Sequence, residues 1–97
     1  MPILEDVKKA LRITNNAFDD EVTDLIKAGE SDLRLAGIFF EDETPEEEYH
    51  PLIKRAILIY AKAHFGYENT EAERFEESYI MLKKQLIIAG EFYVPVV

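Results

Sequence analysis

Asp19, Asp20 and Asp24, in the stretch "DDEVTD", are the side chains best spaced for chemistry. On a helix they would gather three carboxylates within about one turn, an arrangement suited to a hard cation. A calcium loop needs the pattern D-x-[DN]-x-[DN]-G, which is absent. Acids at the start of a helix are also explained by the favourable end of its dipole. Glu46, Glu47 and Glu48 lie close to His50, but that histidine precedes a proline in a connection, and His64 sits in an apolar helical stretch. Both read as non-catalytic, one on the surface and one packing on its helix, because a general base needs partners that the sequence does not announce. Ser31 and Ser78 lack a glycine-flanked elbow, and there is no cysteine to serve as nucleophile or thiolate ligand. No glycine-rich phosphate loop is present. The expectation is a non-enzymatic chain with no catalytic, metal or cofactor residues.

The elements that would carry these residues are helices. "PILEDVKKALRI" places Leu4, Val7, Ala10 and Leu11 at helical spacing, with Pro2 at the entry. A second helix begins near Asp19 or Asp20, with Val22, Leu25, Ile26, Leu33 and Ala36 as its stripe and Gly37 as its stop. Gly29 in its middle costs about 1 kcal/mol relative to alanine, so it marks either a close helix crossing or tolerated strain. "GIFFEDETPEEEYHP" is a connection, in which residues 38–40 form a short strand or an apolar plug. A third helix opens at Pro51. Its apolar residues cover most of the circumference, which predicts burial on several sides and a central place in the core. A fourth opens at Asn69 or Thr70, where Thr70 and Glu73 make a capping-box pattern. Its stripe is Phe75, Tyr79, Leu82, Leu86 and Ala89, and Gly90 ends it. The predicted fold is all-α: a small antiparallel bundle of about four helices with a C-terminal extended arm over residues 90–97, in a single domain over residues 1–97.

That arm, "GEFYVPVV", is apolar and strand-prone. Phe92, Val94 and Val96 would share one face of an extended segment, with Tyr93, Pro95 and Val97 on the other. A lone strand leaves its backbone groups unpaired. Burying a large apolar side chain yields about 1.5–3 kcal/mol. Fixing a residue's backbone costs about 1–2 kcal/mol, so docking on one side only nearly cancels. A neighbouring subunit would add the missing surface. Packing over the chain's own helices, or pairing with residues 38–40, stays open. Pro95 donates no ladder hydrogen bond and suits an edge. The residues expected at a subunit interface are Phe92, Tyr93, Val94, Val96 and Val97.

Composition bounds the partners. The chain has 97 residues, 47% of them apolar, enough for one modest core. Lys and Arg number 11 against 20 Asp and Glu, a formal charge of −9. That balance argues against strong binding to a phosphate backbone, though not against a protein that sits beside DNA without sticking to it. A helix-turn-helix reader would need bases on an exposed helix face, and "KKALR" is the only basic cluster. No stretch reaches the roughly 18 apolar residues of a membrane span, and no signal peptide is expected.

In order and spacing the chain resembles the phage head-tail connector (adaptor) proteins, in versions found in phages and prophages of Gram-positive bacteria. The resemblance rests on "LEDVKKALRI", then "DDEVTDLIKAGESDLRLAG", then "HPLIKRAILIYAKAHFGYENTEAERFEESYIMLKKQL", and spans almost the whole chain. It implies a structural virion protein at the neck between head and tail, present in host cytoplasm before assembly. Such subunits form a homo-oligomeric ring under the portal protein, extend the DNA channel and dock a stopper or tail-completion protein. DNA would pass nearby without specific binding. The acidic segment with Glu41, Asp42, Glu43, Glu46, Glu47 and Glu48 would face the channel or a partner. Two alternatives remain: a small acidic regulatory protein binding a basic partner, and a DNA-packaging accessory protein.

Overall fold

The computed structural model describes residues 3–38, 49–66 and 70–89. Four helices follow in order: α1 (Ile3–Leu11), α2 (Asp19–Leu35), α3 (Pro51–His64) and α4 (Ala72–Ala89). Together they form a helical bundle, as the periodicity predicts. Among the described residues there is no β-strand, and Ile38, the one described residue of the predicted strand or plug, is buried in the core.

α3 packs against all three other helices. Its side chains explain this position: Ile53, Ala56, Ile57 and Ala61 are almost fully buried, and small alanines let neighbours approach closely. Contacts run in opposite directions along adjacent helices. Phe18 meets Phe65 edge-on at 5.7 Å, while Gly29, further along α2, meets Tyr60, earlier in α3. His64 pairs with Glu76, and Tyr60 with Tyr79, so α3 and α4 are antiparallel as well.

Helix ends are set by local chemistry. α2 finishes in a Schellman arrangement, in which Gly37 N–H donates to Arg34 O at 3.0 Å and Ile38 N–H to Leu33 O at 3.1 Å. Gly37 adopts φ 91°, where a Cβ would be strained, and Ile38 and Leu33 are both core residues. α1 ends the same way, with Arg12 N–H donating to Lys9 O and Ile13 N–H to Lys8 O. Here the left-handed position, φ 60, is held by Arg12. This region disfavours a residue with a side chain by roughly 1–2 kcal/mol. α3 begins at Pro51, with Leu52 N–H donating to His50 Nδ1 at 3.1 Å. α4 begins one residue later than the capping-box pattern suggests. Phe75 N–H donates to Glu71 O, so the cap position falls at Glu71 and not at Thr70.

Two polar residues within the bundle depart from the simple apolar stripe. Lys8 is 6% exposed and is anchored by Asp19 Oδ1 at 2.8 Å and Asn16 Oδ1 at 2.9 Å. It ties α1 to the entry of α2 and is not an exposed base, which removes one charge from the "KKALR" cluster. Glu30, 9% exposed, accepts a hydrogen bond from the buried Tyr49 hydroxyl at 3.2 Å and lies 3.7 Å from Arg34 Nη1.

Candidate functional site

The side chains singled out for chemistry do not converge. Asp19 is committed to Lys8, Asp20 and Asp24 are exposed, and Ser31 and Ser78 are exposed. His50 caps α3. His64 stacks on Tyr60 at 4.3 Å and pairs with Glu76 at 3.0 Å. No group of three metal-ligating side chains occurs among the described residues. The interface residues Phe92, Tyr93, Val94, Val96 and Val97 lie outside the described residues. So do the acidic residues Glu41, Asp42, Glu43, Glu46, Glu47 and Glu48, and Phe39 and Phe40 of the predicted strand or plug.

Two features are brought together instead. One is a polar seam where α2, α3 and α4 meet. The Tyr79 hydroxyl, on a side chain 1% exposed, donates to Asp32 Oδ2, and Lys83 Nζ reaches the same oxygen at 3.1 Å. Burial alone would raise the Asp32 carboxyl; the hydrogen bonds from Tyr79 and Lys83 and the lysine charge outweigh it and hold it below its ordinary 3.8. Burial, and then the bond to Asp32, pushes the Tyr79 phenol far up. The Tyr60 phenol is raised by burial and by the nearby Asp32 and Glu76 charges. Both tyrosines therefore stay neutral. The Tyr60 ring is wedged between His64 and Tyr79, whose ring centroids lie 4.3 and 5.2 Å away, and against Gly29 of α2. A Cβ on Gly29 would come within 3.2 Å of Tyr60 Cδ1, so Gly29 marks a close helix crossing.

The other feature is an open groove between the end of α1, the outer face of α3 and the first half of α4. It comprises two adjoining cavities of about 350 and 260 Å³ that share Ala10, Lys62 and Phe75. Its floor is apolar, with Leu58, Ile59 and Phe75, and its rim carries Arg12, Arg55 and Lys62 together with one acid, Glu71, which pairs with Arg74 at 3.1 Å. Lys62 Nζ sits 5.3 Å from the Phe75 ring centroid, within the range of a cation–π attraction. This basic rim stands out on a chain of charge −9. Sequence periodicity missed it because its members come from three helices. The signal that was available is Arg55 and Lys62, one heptad apart on the mostly apolar α3. Apart from the groove, Met81 and Ile88 on α4 and Leu35 at the end of α2 are largely exposed apolar side chains.

Comparison with curated proteins and with solved structures gave no match. Comparison with family models matched one family, described as phage connector protein, over residues 3–92. That span takes in all four helices, the polar seam and the groove, and the chain belongs to the phage connector family, a family of structural proteins.

Proposed function

We propose that this protein is a head-tail connector subunit that assembles as a homo-oligomeric ring beneath the portal protein at the virion neck. The ring extends the DNA channel and offers a docking surface to a stopper or tail-completion protein. The observation that carries this reading is the family match over residues 3–92. The physical features agree with it. A net charge of −9 suits a wall past which DNA slides without being held. A ring requires one patch of each subunit to meet a different patch on the next. The chain supplies two unlike surfaces: the basic-rimmed groove and the apolar 92–97 segment. The acidic 41–48 segment is assigned to the channel or to a partner.

The test is incubation of the full chain with DNA-filled, portal-bearing heads. Stoichiometric association in a ring-sized complex is expected, and a chain truncated after Gly90 should associate more weakly or form no ring. Unchanged ring formation by the truncated chain would remove the 92–97 segment from the interface. Failure of the full chain to associate with heads would remove the connector role.

A further inference from the structure

We infer that the groove between α1, α3 and α4 is the receptor for the 91–96 segment, "EFYVPV", of a second copy of this chain. The inference rests on the reading of the protein as a self-assembling subunit, and it names where one subunit holds the next.

Three observations carry it. The first is reach. Phe75 lies fourteen residues before Ala89 on α4. At a rise of about 1.5 Å per residue, that separation is about 21 Å along the helix. Phe92 follows Ala89 by three residues. Three fully extended residues reach at most about 10 Å. Phe92 therefore falls short of Phe75 on its own chain, whereas the Phe75 of a second copy is under no such limit. The second is complementarity. Segment 91–96 carries one acid, Glu91, ahead of an apolar run with no base, and the groove sets three bases, Arg12, Arg55 and Lys62, around an apolar floor, its one acid, Glu71, being paired with Arg74. Arg12 and Arg55 are exposed, and neither is ion-paired with a described residue. The third is backbone strain. The α1 terminus presents Arg12 to the groove from a left-handed conformation that glycine would adopt without cost. A residue kept there against its backbone preference points to a use for its side chain. A segment passed from each copy to the next is a heterologous contact of the kind that closes a ring.

The chain has no cysteine, so paired single-cysteine variants report proximity directly. Full-length Ser78→Cys is mixed with full-length Tyr93→Cys, and separately with Glu43→Cys, and oxidised both free and on portal-bearing heads. Disulfide-linked dimers from the first mixture and none from the second are the expected result. Cross-links to position 43 instead assign the groove to the acidic segment and overturn the inference. Assembly without cross-links to either position overturns it while leaving the connector reading standing; no assembly on heads overturns both. As a second measurement, Arg12→Gly should leave the melting temperature unchanged or raised, yet raise the subunit dissociation constant about two- to fivefold. Phe92→Ala should raise it about 30-fold. Unchanged assembly in both variants contradicts the inference.

Discussion

Tyr79→Phe isolates the polar seam from the rest of the bundle. The substitution keeps the ring, its burial and its edge-on contact with Tyr60, and removes only the hydroxyl that donates to Asp32. A hydrogen bond to a charged group contributes about 1.5–3 kcal/mol net. Asp32 keeps Lys83 at 3.1 Å and its side chain is 39% exposed, so water replaces part of the loss and no buried charge is orphaned. The low end, about 1.5 kcal/mol, is therefore the expected destabilisation. For a domain of this size that lowers the melting temperature by about 6–12 °C. The pH dependence gives an independent check. The folded Asp32 carboxyl titrates below its ordinary 3.8, so the stability it contributes is complete above pH 3.8 and is lost as the pH falls through the folded value. In Tyr79→Phe, burial meets one fewer opposing hydrogen bond, the folded carboxyl moves up, and that contribution shrinks. The gap between the two proteins should narrow as pH falls below 3.8. Thermal unfolding followed by circular dichroism, at fixed protein concentration from about pH 3 to 7, measures both effects. A melting shift under about 2 °C at neutral pH, well below the range expected for a domain of this size, or a gap that does not change with pH, would refute the seam as a stabilising contact.

Gly29→Ala should lower the melting temperature, although alanine adds about 1 kcal/mol of helix propensity. The new Cβ presses a Tyr60 ring already held between His64 and Tyr79, and crowding of a packed core outweighs that gain. The same thermal scan checks it, and a rise of several degrees would show that the ring yields freely. Lys8→Ala opens space beside α1 and strips Asp19 and Asn16 of their shared partner. Losing a buried charge-assisted partner of this kind should destabilise the fold by about 2 kcal/mol in urea unfolding. Lys8→Met, which keeps the stem volume, should cost less.

Four helices, the start of α2 near Asp19 and of α3 at Pro51, and the central burial of α3 were all legible from apolar spacing, proline and glycine. Gly29 was legible as a question, and the Tyr60 ring answers it. Lys8 was not: its charge reads as surface, and its burial depends on Asn16 and Asp19 folding back over it, a tertiary fact. Thr70 and Glu73 form a valid capping pattern, yet the helix takes its cap one residue later, because short-range patterns locate helix ends only within a residue or two. The groove was hidden for a different reason. Arg12, Arg55, Lys62 and Phe75 belong to three helical regions, and only their packing brings them to one surface. A surface built from several helices is distributed in this way, whereas a metal or nucleophile motif declares itself within one short stretch.

On the proposed reading, the chain is a connector subunit that completes itself only against other copies at the portal. Native mass spectrometry of the full chain released from portal-bearing heads tests this directly. A single closed oligomer of this subunit, bound in register with the portal and absent when residues after Gly90 are removed, is the predicted result. A monomer bound to heads, or no bound subunit at all, would contradict it.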